Sequence, residues 1–199
     1  MPRTKEQFEY LRSVTKNKIR SAGLQLFSHK GLRGTNVQEI AAVAGISTGL
    51  MYQHYNTKED LFYDLVNTAI HEMKAIEFLL DADERPSIIF KQLSTAMMSE
   101  MNKNEESAQY LVLVAHSLLM GDLDTEIAET YNSELFERVA NLIRRGQSMG
   151  DLHPGDPYQM TLLFFSTVQG LAVMKLSLKD RFVCPNAEML TAYLIMDTN

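Results

Sequence analysis

Apolar residues recur at three- and four-residue spacings along most of the chain, the mark of amphipathic helices. Over residues 12–29, Val14, Ile19, Ala22, Leu26 and Phe27 share one face, Lys16, Lys18 and Arg20 take the other, and Gly31 closes the element. Residues 1–11 carry no such stripe and read as a loose arm or a frayed helix start. Arg3 and Lys5 within it either reach a nucleic-acid groove or, more plainly, sit in solvent. From 35 to 58, TNVQEIAAVAGISTGLMYQHYNTK, the pattern shortens. Val37, Ile40, Ala41, Val43 and Ala44 give one short apolar face. Gly45 interrupts it where a left-handed cap is wanted. Ser47 can cap a second short helix, 48–54, with Leu50 and Met51 as its core candidates. Thr35 with Gln38, and Thr57 with Asp60, have the spacing of capping boxes.

A long helix follows from 58 to about 80, with Leu61, Phe62, Leu65, Val66, Ala69, Ile70 and Met73 on its stripe. Asp81 to Glu84, ending at Pro86, reads as a connection. Residues 86–102 give a helix through Ile88, Ile89, Leu93, Met97 and Met101. Residues 105–120 give another through Tyr110, Leu111, Leu113, Val114, Leu118 and Leu119, closed by Gly121. A further helix starts at Asp124 or Thr125 and runs to about Met149, through Ile127, Tyr131, Leu135, Val139, Leu142 and Ile143. Asp156 followed by Pro157 is a clean start signal for the next. Residues 158–179 are the most apolar stretch, interrupted by Ser166, Thr167, Gln169 and Lys175. They read as a helix buried on two sides, against its own subunit and against a second copy, rather than as a membrane span. Gly170 would let backbones approach there. Residues 186–196, with Ala187, Leu190, Tyr193 and Leu194, give the last helix. No strand, repeat or low-complexity segment is evident. The expectation is an all-α chain of about nine helices.

Two short helices joined by a Gly-containing turn make a helix-turn-helix. The outward face of 48–54 carries Thr48, Gly49, Tyr52, Gln53 and His54. Hydroxyl, amide, phenol and imidazole groups suit phosphate oxygens and base edges. A second reading, a helical hairpin within a core, stays open on these residues alone.

The resemblance that bears on this choice runs from Ile19 to Leu61. Leu26-Phe27, Gly31, Thr35, Ile40-Ala41, Ala44-Gly45-Ile46-Ser47, Gly49, Tyr52, Tyr55, Lys58-Glu59 and Leu61 stand in the order of the TetR family of transcriptional regulators. This segment resembles that family over about the first third of the chain. The resemblance implies a three-helix DNA-binding domain over 1–57 and a helical ligand-binding and dimerisation domain over 58–199. It implies that Thr35, Tyr52 and Lys58 contact phosphate. Thr48, Gln53 and His54 are the candidates for base edges or nearby phosphates, with Ser47 and Gly49 shaping the approach. It implies a homodimer through helices 158–179 and 186–196, gripping a palindromic site on double-stranded DNA. It also implies a ligand cavity in the second part. The Met and aromatic content there fits a small apolar ligand: Phe90, Met97, Met101, Tyr110, Met120, Phe164 and Phe165, with His116 and Gln169 as polar anchors. Plain core packing explains the same residues. The expected function is repression relieved by that ligand, through a population shift levered by the helix from Lys58. The alternative is a DNA-binding adaptor or activator on the same scaffold without a small-molecule inducer.

Composition agrees with a folded, soluble chain: 45% hydrophobic and 22% charged over 199 residues. The net charge of −6 is unevenly placed. Residues 1–60 hold nine Lys or Arg against five Asp or Glu, a net +4, and residues 61–199 hold ten against twenty, a net −10. A basic first third suits phosphate, and an acidic remainder keeps the molecule soluble. The single Cys184 excludes an internal disulfide and a cysteine zinc cluster. With no apolar core of a signal peptide at the N-terminus, a cytoplasmic location is expected. The five His residues are scattered, His71-Glu72 lacks a second His, and no Gly-rich loop follows a strand. No catalytic residue, metal site or cofactor is expected, and no enzyme activity.

Overall fold

Helix caps set the element boundaries of this chain. The computed structural model describes residues 4–123 and 134–196, and of residues 73–78 only the backbone. Arg3, the helix start expected at Asp124 or Thr125 with Ile127 and Tyr131, and the side chain of Met73 lie outside the described residues. Among the described residues the chain is helical throughout, with no strand and a single isolated bridge. The helices are α1 (Lys5–Lys30), α2 (Val37–Ala44), α3 (Thr48–Tyr52), α4 (Lys58–Leu80), α5 (Pro86–Lys103), α6 (Glu106–Met120), α7 (Leu135–Ser148), α8 (Pro157–Leu178) and α9 (Ala187–Thr191).

Backbone packing separates the chain into two units. The first comprises the residues up to Ala69 together with Leu113–Asp122, so it extends past the expected boundary at residue 57. In it α1 begins at Lys5, not at residue 12. Thr4 and Gln7 form a capping box (Gln7 N–H to Thr4 Oγ1 3.3 Å, Thr4 N–H to Gln7 Oε1 3.1 Å). Residues 5–12 are exposed, so these roughly two turns are held by their cap and by helix propensity, which a search for an apolar stripe overlooks. Ile19, Leu24 and Phe27 of α1 are buried with Ile40, Met51, Leu61, Phe62 and Leu65, and Phe27 meets Phe62 edge to face at 5.4 Å. The residues of α6 from Leu113 onward belong to this unit. A β-carbon on Gly31 would lie 2.4 Å from Cε1 of His116, so only glycine lets that imidazole pack there. Asp122 pairs with Arg33 at 3.6 Å.

The second unit runs from Ile70 to Val112 and from Leu123 onward. Its core gathers Ile89, Phe90, Leu93 and Met101 of α5, Val139, Leu142 and Ile143 of α7, Phe164, Val168, Ala172 and Leu176 of α8, and Leu190 and Leu194. Phe90 meets Phe164 edge to face at 5.7 Å, and Phe136 stacks on Phe165 at 4.6 Å. α8 starts as expected, with Asp156 accepting from Gln159 N–H at 2.8 Å and Pro157 in the first turn. Thr161, Phe164, Val168, Ala172 and Leu176 form its buried stripe. Leu162, Leu163, Val173 and Met174 are about half exposed, and Gly170 has open space where a β-carbon would be. The last helix is shorter than expected, ending at Thr191 instead of 196. Past it, the chain turns. His153 N–H donates to Leu194 O at 2.8 Å, Leu152 bridges Ile195, and the Tyr193 hydroxyl donates to Met160 O at 3.2 Å. Leu194 and Ile195 still donate to Thr191 O, at 2.9 and 3.0 Å, but Met196 N–H turns to Asp151 O at 3.4 Å and the helix does not continue.

Helix α5 carries no cap of its own at Arg85. Asp151, from the turn before α8, supplies it. Its carboxylate accepts from Ser87 N–H (2.7 Å) and Ser87 Oγ–H (2.9 Å), and from Arg85 Nη2 (2.6 Å) and Nε (3.1 Å). Burial works against the charged carboxylate, but the Ser87 donors and the Arg85 guanidinium outweigh it and hold Asp151 below the usual carboxylate range. A depressed folded value means the stabilisation is complete above the unfolded value, about pH 4, and is lost as pH falls through the folded one. Asp151→Asn is therefore expected to lower stability by about 2 kcal/mol near neutral pH and to flatten the acid limb of the stability profile, as calorimetry across the acid range will measure.

Candidate nucleic-acid interface

The surface of the second short helix depends on what holds it from behind. Gly45 adopts the left-handed conformation (φ 66°, ψ 37°), its N–H directed at the Ala41 and Ala42 carbonyls, and the chain reverses there. Ser47 then caps α3, its Oγ accepting from Leu50 N–H at 3.2 Å. Met51 is fully buried and Leu50 half-buried, so both core candidates anchor this helix. Gly49, Tyr52 and Gln53 face solvent, with Thr48 and His54 at the edges of the exposed face. The residue that caps α2 is Asn36, not Thr35: Asn36 and Glu39 form the box, at 2.9 and 3.3 Å. The expected box at Thr57 and Asp60 forms at the start of α4, at 3.0 and 3.1 Å.

Behind α3 lies a cluster that the chain pattern does not disclose. The Tyr55 hydroxyl donates to Asp64 Oδ2 at 2.5 Å, and the same carboxylate accepts from Arg20. Arg20 Nη2 reaches Thr68 Oγ1 at 2.7 Å, and Lys16 Nζ lies 3.8 Å from Asp64 and 5.6 Å from the Tyr55 ring centre. Burial, then the Asp64 hydrogen bond, push the Tyr55 hydroxyl well above the ordinary phenol range. Burial opposes charge on Asp64, yet the Tyr55 and Arg20 hydrogen bonds hold its carboxyl below the usual range. One carboxylate thus joins α1, the end of the helix-turn-helix and α4.

The polar residues divide between surface and scaffold. Thr35 is 2% exposed, and its hydroxyl donates to Gly31 O at 2.9 Å. Lys58 Nζ donates to Leu32 O (2.8 Å) and Thr35 O (2.7 Å). Thr35, expected at phosphate, is turned inward to shape the 31–35 loop. Lys58 has one of its three N–H donors left for an outside partner. His54 is half-buried. Burial first, then the charges of Arg12 and Lys16, push its imidazole below the ordinary range. Leu50, Gln53 and His54 line a surface groove with Lys5, Phe8, Glu9, Leu11, Arg12 and Thr15 of α1.

This arrangement has close counterparts. The sequence pattern of the bacterial regulatory proteins of the tetR family matches residues 19–65. The chain is 26% identical over 189 residues to the HTH-type transcriptional regulator TtgR of Pseudomonas putida, covering 89% of this chain and 86% of that one. A tetR-family regulatory protein from Rhodococcus superposes with a TM-score of 0.62 at 26% identity, covering 89% and 91% of the two chains. The chain belongs to the TetR family. Like its relatives it is a transcriptional regulator, not an enzyme. A structure of SmeT in complex with triclosan shares the fold, with a TM-score of 0.60 at 20% identity over 92% of each chain.

For this TetR-family chain, the expected ligand residues fall into two groups. Phe90, Met101 and Phe164 are fully buried in the core of the second unit, Tyr110 is buried, Met97 and Phe165 pack against that core, and Gln169 of α8 is half-buried. His116 and Met120 belong to the first unit, where His116 packs on Gly31 and Met120 is 48% exposed. Among the described residues no group of His, Cys, Asp and Glu could hold a metal ion. Sequence reasoning missed Arg12, Arg20 and Asp64. A charged residue on α1 and another on α4 give no sign in sequence that they meet, although the buried Tyr hydroxyl at 55 demands an acceptor once its burial is known. Tyr55→Phe is expected to lower the stability of the first unit by about 1 kcal/mol, and Asp64→Ala by about 2 kcal/mol, since it strands the Tyr55 hydroxyl and takes the carboxylate from Arg20, which keeps Thr68. Thermal denaturation of the two variants checks that order.

Proposed function

We propose that this chain is a homodimeric repressor that binds a palindromic operator through residues 47–54 and is released by a small apolar ligand. The observation that carries the reading is the outward face of α3, where Tyr52 is 52% exposed beside Gln53 while Met51 is sealed into the core. Side chains held rigidly on such a face can read base edges, and Gln53 can pair bidentately with adenine. Ser47, Thr48 and Gly49 border the same surface. Tyr52 and the remaining N–H of Lys58 meet backbone phosphates. Thr35 acts indirectly, by holding the 31–35 loop.

The dimer reading rests on α8. Leu162, Leu163, Val173 and Met174, outside the buried stripe, are exposed along the helix, and Gly170 leaves room for a close neighbour. Together with α9 it offers a self-complementary face, as a two-fold interface requires. Two recognition helices then fall about 34–36 Å apart, one turn of duplex. The ligand reading rests on the aromatic and Met residues of the second core, chiefly Phe90, Met97, Met101, Phe164 and Phe165, and on the triclosan bound by the related fold. Repression follows if the ligand prefers a conformation whose recognition helices are misplaced. A regulator of this kind works in the cytoplasm.

Electrophoretic shifts on the chain's own upstream DNA are expected to show a discrete complex that weakens with salt. Tyr52→Ala should weaken binding to all sequences, whereas Gln53→Ala should change which sequence is preferred; if neither alters binding, residues 48–54 are not the reading head. Light scattering should give twice the chain mass, and Met174→Glu should halve it. A wild-type chain of single mass at micromolar concentration would end the dimer reading.

A further inference from the structure

The groove beside α3 holds charges that do not balance. On α1, Lys5 faces Glu9 at 4.0 Å, and Lys16 faces Asp64 at 3.8 Å. Arg12 has no hydrogen-bond or ion-pair partner among the described residues. It lines the groove with Gln53 and His54, whose imidazole feels the positive charges of Arg12 and Lys16 with no carboxylate bound to it. Leu11 and Leu50 line the same groove and reduce its hydration. Arg12 also precedes residues 19–65, the segment the family pattern matches.

An unpaired guanidinium beside a half-buried imidazole is a receptor for an anion. Arginine offers a planar fork of donors that matches phosphate oxygens. The anion within reach of Gln53 is the backbone of whatever duplex Gln53 reads. We infer that the duplex-contacting surface continues from residues 48–54 onto α1, where Arg12 and His54 together receive a backbone phosphate, and that operator binding takes up a proton at His54. The inference rests on the DNA-binding reading above. The groups facing His54 are Arg12 and Lys16, with Lys5 and Glu9 farther along the same groove; Asp64 is engaged by Tyr55 and Arg20. In the free chain, burial first and then the two cations work against the charged imidazolium. A phosphate between them and the ring reverses that balance and favours the imidazolium, which then donates from both ring nitrogens.

The test is fluorescence anisotropy on a duplex first selected from random sequence by the wild-type protein. One lost phosphate contact removes about one unit of salt slope per protomer, and about tenfold in affinity per protomer at 0.1 M salt. Arg12→Gln should show both changes without altering the preferred sequence. Arg12→Lys should restore the slope, and Lys91→Gln on α5 should leave it unchanged. Wild-type affinity should rise as pH falls from about 8 to about 6, by at most about tenfold per unit for each proton taken up. His54→Gln should weaken binding and flatten that rise. A wild-type salt slope in Arg12→Gln, or a wild-type pH response in His54→Gln, overturns the inference while leaving operator binding intact. Failure to select any preferred duplex overturns instead the function on which it rests.

Discussion

A single carboxylate, Asp64, ties the helix-turn-helix of this protein to its neighbouring helices. It accepts from Tyr55 at the end of the helix-turn-helix and from Arg20 on α1, and it projects from α4. Partial burial alone works against the charged form of this carboxylate. Here the donors keep it charged, and the charge in turn makes the bonds short and directional. The apolar contacts of Met51, Phe27 and Phe62 supply the gross stability of the unit, but they are forgiving of small rotations. The polar cluster is not, because each donor has one acceptor to find. Pose is therefore set by polar geometry on top of a hydrophobic seat.

The residues that mark the family divide in the same way. Gly31, Thr35, Tyr55 and Lys58 lie inside or behind the surface. Gly31 admits His116, Thr35 bonds back to Gly31 O, and Lys58 ties down the Leu32 and Thr35 carbonyls. Tyr52 and Gly49 lie on it. A motif of this kind is thus mostly the mounting of α3, and the exposed Gln53 beside it is the residue to which the proposed function gives target choice.

Much of the fold was legible because its helices are capped by local signals. Gly45, Ser47, Thr57 with Asp60, and Asp156 with Pro157 all act as their types and positions predict. The failures have separate causes. The α2 cap falls one residue late because the Thr35 side chain turns inward to donate to the Gly31 carbonyl, and Asn36 Oδ1 accepts from Glu39 N–H in its place. The start of α1 was missed because an exposed helix carries no apolar stripe. The last helix stops at Thr191 because its continuation bonds to Leu152 and His153, a choice made by tertiary neighbours. Of the interface, the outward residues of 48–54 were readable from local spacing. Arg20 and Asp64 were not, since an ion pair between distant helices leaves no periodicity, and Arg12 lies on the exposed start of α1, which carries no apolar stripe.

The borrowed cap of α5 bears on how the second unit assembles. The donor and acceptor that start this helix, Ser87 and Asp151, are 64 residues apart in the chain. Until the turn before α8 has arrived, the first turn of α5 has no anchor at its amino end. The amino end of α5 is therefore completed only by a segment that lies late in the chain. Such non-local closure delays the reward for forming that first turn.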